Sequence, residues 1–234
     1  GHGTHVSGII SRVAPNARIM PIRVLDGNGS TNAWVLAEAL AFAANPDGNP
    51  ATRDGADIVN LSLGSPVQTR LLRDLFRTIC SHLPLDSDVD FPQVGKPNLV
   101  AIAAAGNNGG EFKIYPGAET SVDGLITVAA SDSNDRIAPY SNVGSWVKVA
   151  APGDAIISTT PDGGFGTWSG TSMAAPVATG IIALIKQRFP GLTPAMTKDH
   201  IRCTSVRINS KRTKQRVDAF NAVTIVPNTG GCAD

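Results

Sequence analysis

Five apolar stretches rich in Val, Ile and Ala recur along the chain: Ala17–Leu25, Ala56–Leu63, Leu99–Ala105, Leu125–Ala130 and Val147–Ala150. Each is nearly continuous and does not alternate with polar residues, the pattern of strands covered on both faces, as in a parallel sheet. Between them the spacing changes. Val35, Leu36, Ala39, Leu40 and Ala43 recur at helical intervals behind Thr31 and Asn32, either of which can cap, and Asn45-Pro46 ends the run. Leu71, Leu72, Leu75, Phe76, Ile79 and Leu83 repeat the helical pattern, and a further apolar run spans Val177–Ile185. Strand followed by helix followed by strand predicts an α/β domain with right-handed crossovers. No internal repeat and no interdomain linker interrupts the 234 residues, so a single domain over 1–234 is expected.

Composition narrows the partners. Hydrophobic residues make up 42% of the chain, enough to fill a core, yet no apolar run approaches the roughly 20 residues of a membrane span. With 17% charged residues and a formal net charge of +1, there is no electrostatic reason to expect nucleic acid. The 24 Gly and 16 Pro lie between apolar runs without a triplet period and therefore punctuate turns. The chain starts at Gly1 with neither an initiator Met nor a leader, which reads as a processed or partial product. Three cysteines are too few for a disulfide scaffold. Cys80 reads as a small buried hydrophobe. Cys203 and Cys232 are able to close one bridge near the C-terminus, which would fit an oxidising compartment. Asp86, Asp88 and Asp90, within Ser81–Pro97, read as a solvated surface excursion, because a hard-cation loop usually adds a Gly at its sharp turn. Lys211, Arg212, Lys214 and Arg216 read as a solvated basic face.

Three segments carry chemistry. The first is Gly1-His2-Gly3-Thr4-His5-Val6-Ser7-Gly8. Two His three apart share a helix side, so a metal pair has to be weighed, but the zinc-protease pattern needs four-residue spacing and a neighbouring Glu. One His is instead expected at an open cleft as general base, with the other packed and hydrogen-bonded. The second segment, Ser169-Gly170-Thr171-Ser172-Met173-Ala174-Ala175-Pro176, opens an apolar run. Pro176 is compatible with a first helical turn, which puts Ser172 near a helix N-terminus, where free N–H groups favour developing negative charge. By itself a Ser or Thr there is usually only a cap. The third, Ala103-Ala104-Ala105-Gly106-Asn107-Asn108-Gly109, is a buried strand running into a turn. An Asn at that place serves a turn or donates its side-chain N–H to an oxyanion.

Taken together, His2-Gly3-Thr4-His5-Val6-Ser7-Gly8, Asn60-Leu61-Ser62-Leu63-Gly64, Ala103-Ala104-Ala105-Gly106-Asn107 and Gly170-Thr171-Ser172-Met173-Ala174-Ala175-Pro176 stand in the order and rough spacing of the subtilisin-like serine proteases. The resemblance is strongest from Gly1 to about Phe189 and weaker through Val226. It implies a parallel-sheet, three-layer α/β domain. It also implies His2 as general base, Ser172 as acylated nucleophile, and Asn107 as oxyanion donor beside the Ser172 N–H. Ser62-Leu63-Gly64 and Ala104-Ala105-Gly106 resemble the two extended segments that flank a substrate strand. Polypeptide substrates would then bind by strand addition. The resemblance suggests secretion or extracytoplasmic action, and a monomer is expected, with neither nucleic acid nor membrane as partner.

The sequence departs from the family pattern in three places. The family's triad Asp, followed by a small residue and Gly, precedes the His segment. Here the Asp-Gly pairs at Asp26, Asp47, Asp54, Asp123 and Asp162 all come later. The expectation is therefore an N-terminally incomplete chain, nearly inactive by itself. The calcium-holding loop that many members insert after the segment containing His5 is absent, so that calcium site should be missing too; no cofactor is expected, calcium elsewhere being the one alternative left open. Ile114, before Tyr115-Pro116, aligns where the family often has a small residue at the floor of the specificity pocket, which implies a shallow pocket. Two other readings compete. An α/β-hydrolase would need its acid and then its His after Ser172. Asp199 and His200 follow but are adjacent, and His200 reads as an exposed helical residue. A non-catalytic pseudoprotease or binding module of the same fold is the other alternative.

Overall fold

The structure is a computed structural model in which residues 1–49, 51–52, 54–81, 98–210, 212–213 and 215–228 are described. Helix α1 (His2–Val13) is followed by α2 (Ala33–Ala44), strand β1 (Ile58–Leu61), α3 (Arg70–Ser81), β2 (Val100–Ala104), β3 (Leu125–Ser131) and β4 (Val149–Pro152). A hairpin of β5 (Ile156–Thr159) and β6 (Phe165–Trp168) leads into the long α4 (Thr171–Arg188). Then come α5 (Pro194–Cys203), β7 (Val206–Arg207), β8 (Gln215–Arg216) and α6 (Ala219–Thr224). The main sheet runs β1-β2-β3-β4-β8-β7. Strands β1 to β4 are parallel, β8 joins β4 in parallel, and β7 returns antiparallel.

The runs at β2 and β3 are strands buried on both faces. Along β2, Val100, Ile102 and Ala104 face the layer containing α4, while Ala101 and Ala103 face the layer of α2 and α3. Period two thus divides one strand between two cores, and the result is a three-layer α/β domain. Among the predicted helices, α2 takes Asn32 as its cap, with the Asn32 side chain accepting from the Val35 N–H at 2.9 Å. Leu75, Phe76 and Ile79 of α3 are fully buried. Leu83, Asp86, Asp88 and Asp90 lie outside the described residues.

The structure differs from the sequence reading at several points. Ala17–Leu25 is not a strand: it is irregular, and Ile19 and Met20 are exposed. A strand needs a partner for its ladder bonds, and among the described residues this segment pairs with none. His200 is not exposed. It is buried against Phe189 and its Nε2 lies 2.8 Å from Ala222 O, where it pins α5 to α6. Pro176 falls in the second turn of α4, not the first, because the helix starts at Thr171. Of the basic run, Arg212 pairs with Glu111 at 2.7 Å and Arg216 with Asp135 at 2.6 Å, while Lys211 and Lys214 lie outside the described residues. Cys80 is free and buried, and burial pushes its thiol up to about 12, which makes it inert at neutral pH. Cys203 is disulfide-bonded; Cys232 lies outside the described residues.

Candidate active site

Thr171 organises the start of α4. Gly170 is the N-cap, with φ of 157°, and has no side chain with which to cap the helix. The first orphan N–H, that of Thr171, is instead taken by Asn107 Oδ1 at 2.8 Å, and Thr171 Oγ1 donates to the same oxygen at 2.9 Å. Thr171 Oγ1 in turn accepts from Gly106 N at 3.1 Å. A backbone N–H only donates, so these bonds fix the Asn107 amide with its oxygen toward the helix and its Nδ2 turned away. A Cβ at Gly170 would stand 3.4 Å from that Nδ2, so the glycine leaves the amide nitrogen uncovered. The Asn107 Nδ2 and the Ser172 N–H make no hydrogen bond among the described residues. Both are donors at a helix N-terminus, the arrangement that receives an anion.

His2 is at the first turn of α1, behind a Gly1 N-cap that makes no side-chain bond. Its ring lies 6.4 Å from that of Trp168 in a stacked arrangement. Although His2 presents much of its surface to solvent, the ring is sheltered enough that burial, reinforced by the like charge of His5 and the amino group at residue 1, holds its pKa below the ordinary value of 6.5. A lowered pKa keeps the imidazole neutral at neutral pH, and so free to accept a proton, though as a weaker base. His5 is fully buried and packs face to face on Trp168 at 4.4 Å. Its Nε2 lies 3.1 Å from Gly166 O, so that nitrogen carries the hydrogen; its Nδ1 has no partner among the described residues.

One cleft of about 390 Å³ brings these groups together: His2, Asn107 and Ser172 line it with Trp168, Ser169, Gly170 and Met173. Ser172 Oγ does not meet His2 directly. It donates to Ser62 O at 3.2 Å, and among the described residues no hydrogen bond joins it to the imidazole. Asp199 and His200 are not among the lining residues. Among the described residues, no group of three or more His, Cys, Asp or Glu side chains is placed to hold a metal ion. Trp168 was not singled out in the sequence. The only signal was an aromatic residue four positions before Ser172, and its meaning depends on α1 packing beside β6.

The two extended segments both meet the start of α4, Ser62 bonding Ser172 and Gly106 N donating to Thr171 Oγ1. The side chains of Ala104 and Ala105 belong to the core, so only main chain is left to face a substrate there, whereas Gly64 is exposed. Ile114 fills the space between the segments. A Cβ built on Gly64 would collide with Ile114 Cγ2, and one built on Gly106, at φ of 104°, would stand 2.6 Å from Ile114 Cγ1. Glycine at both positions admits the branched side chain, and that side chain occupies the gap.

Beside a parallel sheet between helical layers, Ser172 at the N-terminus of α4 shares one cleft with the His2 imidazole and the Asn107 amide, the set of groups used by serine acyl transfer. The family model for the subtilases, peptidase S8, matches residues 1–223, and the chain belongs to that family. It is 35% identical over 236 residues to the thermophilic serine proteinase of Bacillus sp. (strain AK1), covering 95% of this chain and 52% of that protein. It is 30% identical over 219 residues to subtilisin Savinase of Lederbergia lenta, covering 90% and 72% respectively. Among solved structures it is similar to a cold adapted subtilisin-like serine proteinase, with a TM-score of 0.75 at 29% identity, over 93% of this chain and 73% of that one. A protease of Pseudoalteromonas arctica PAMC 21717 gives a TM-score of 0.78 at 29% identity, over 95% and 70%. The chain spans about half the length of the thermophilic proteinase, 52%, and 51% of the alkaline protease of Alkalihalobacillus alcalophilus.

Proposed function

We propose that the protein containing this chain is a serine endopeptidase that cleaves polypeptides through an acyl-enzyme on Ser172. The observation that carries the reading is the convergence of Ser172, His2 and Asn107 on one cleft. In the reaction, the Ser172 hydroxyl turns from Ser62 O toward His2 and gives its proton to the imidazole as Oγ bonds to the substrate carbonyl carbon. The oxyanion that forms is met by Asn107 Nδ2 and the Ser172 N–H. His2 then protonates the leaving amine, the C–N bond breaks, and water attacks the ester by the same route in reverse. Ser62 O, freed by the turning hydroxyl, and the main chain of 62–64 and 104–106 are left to pair with an extended substrate strand. No step calls on a metal or cofactor. Covalent labelling of the full-length protein by a small fluorophosphonate, mapped to Ser172, tests the reading. A full-length protein that stays unlabelled would count for the alternative, a non-catalytic binding module of the same fold.

Asn107→Leu should lower turnover by about 10²–10³ with little change in KM, because Nδ2 acts only once the oxyanion forms, and should also lower the melting temperature, because Oδ1 no longer holds Thr171. That magnitude is the one known for the corresponding donor in subtilisin, a member of this family. A steady-state comparison in which KM rose and kcat held would count against the assignment.

The position of Ile114 supports a pocket for small or modest apolar residues before the scissile bond. Ile114→Ala should open the gap between Gly64 and Gly106 and raise cleavage after Phe relative to cleavage after Ala by about 10–200-fold, the range for adding or removing a methylene in an apolar pocket. A peptide series that varies only that residue reads the change directly; an unaltered ranking would remove Ile114 from the pocket.

Action outside the cytoplasm agrees with the family resemblance and with a disulfide at Cys203, since such bonds persist in oxidising compartments. Among the described residues, no helix is long and apolar enough to cross a membrane.

A further inference from the structure

Proline within a helix removes one N–H, and the carbonyl four residues earlier loses its helical partner. In α4 the proline is Pro176 and the carbonyl is that of Ser172. That carbonyl is not left bare. Ser62 Oγ donates to Ser172 O at 2.8 Å from across the sheet edge. The direction of the bond is fixed, because Asn60 Nδ2 donates to Ser62 Oγ at 2.9 Å and the only hydrogen of Ser62 is then aimed at Ser172. Asn60 Oδ1 in turn lies 2.9 Å from Thr179 Oγ1, two turns further along α4, whose single hydrogen it shares with Ala175 O, also at 2.9 Å. The loop closes on the helix in which it began, and it ties the end of β1 to α4 at two points.

We propose that Ser62 and Asn60 are positioning residues that hold the main chain of Ser172 through the carbonyl that Pro176 leaves without its helical partner. The inference rests on the reading of Ser172 as nucleophile. It explains how the hydroxyl can leave Ser62 O for His2 without the residue moving: the Oγ bond to Ser62 O breaks, while the bond from Ser62 Oγ to the Ser172 carbonyl persists. Only a side-chain rotation is then needed to reach the attacking geometry. The free amide donor beside it, the Ser172 N–H, stays where an oxyanion would form.

The test is a double-mutant cycle in the full-length protein. Labelling rates with a small fluorophosphonate, which fills no extended subsite, are measured per active site after titration, together with melting temperatures. Ser62→Ala should slow labelling about 10–100-fold, the scale of an unpaired buried carbonyl and a displaced nucleophile. Pro176→Ala restores an N–H that can donate to Ser172 O, so in that background the Ser62→Ala loss should shrink severalfold. A purely structural role would lower the melting temperature and the active fraction and leave the rate per site alone. If Ser62→Ala does not fold, the double variant is made directly, and its folding and labelling where the single variant has neither is the same rescue. Undiminished loss in the Pro176→Ala background, or no loss at all, overturns the inference while leaving Ser172 as nucleophile. A wild-type protein that is not labelled at Ser172 refutes the nucleophile reading and this inference together.

Discussion

Replacing Ser172 by alanine in the full-length protein should abolish fluorophosphonate labelling and lower peptide turnover by about 10⁶-fold, the loss known for the equivalent change in subtilisin, a member of this family. The reason is that the acyl bond has no other atom on which to form. Thr171 is fully buried and its hydroxyl is committed to Asn107, while Ser169 Oγ accepts from Ala155 N at 2.9 Å. The oxyanion donors survive the change, since Asn107 is held by Thr171 and not by Ser172. A residual rate above that of free water is therefore expected, as is an unchanged melting temperature, because the Ser172 hydroxyl makes a single long bond, 3.2 Å to Ser62 O. A variant that kept even a hundredth of the parent turnover at equal protein concentration would show that the nucleophile is elsewhere.

Residues 1–234 expressed alone, in which no described carboxylate acts on His2, should turn over peptides about 3 × 10⁴-fold more slowly than a full-length protein that sets a carboxylate beside that ring, the figure associated with that group in subtilisin, of the same family. Each influence on the His2 ring works against its charged form: burial first, then the charge of His5, then the amino group at residue 1. No carboxylate among the described residues offsets them. A general base must become an imidazolium in the transition state, and an adjacent carboxylate stabilises that form while fixing the tautomer. The sign can be read independently of rate. In residues 1–234, His2 should titrate below the ordinary 6.5, and a carboxylate brought beside it in the full-length protein should raise that pKa. Imidazole proton shifts followed by NMR across the acid range give both values. Equal turnover per labelled site in the two proteins, or a full-length pKa no higher than that of residues 1–234, would contradict this account.

The helices were the most legible part of the chain. The cap of α2, its stop at Asn45 and the buried stripe of α3 follow from local spacing, because a helix makes its hydrogen bonds within itself. The motifs around His2, Asn107 and Ser172 were legible too, as each is a short segment whose order along the chain identifies it. Less of the site's interior could be read. His5 was expected to be packed, but its partner, Trp168, lies 163 positions away, and nothing local connects them. Ile114 stood out only through resemblance; that it closes the gap between two glycines is a matter of three segments meeting.

Periodicity and motif order in the 234 residues were enough to read the α/β class, the four parallel strands β1 to β4, the helices α2, α3 and α4, the family, and the three side chains expected to do the chemistry. Tertiary structure alone decided that Ala17–Leu25 is no strand, that His200 is buried, and that Ser62 Oγ stands in for the N–H that Pro176 lacks. The physical reason is common to all three. A strand, a buried polar ring and an orphan carbonyl are each satisfied by atoms from distant parts of the chain, and which atoms arrive there is settled only when the layers pack.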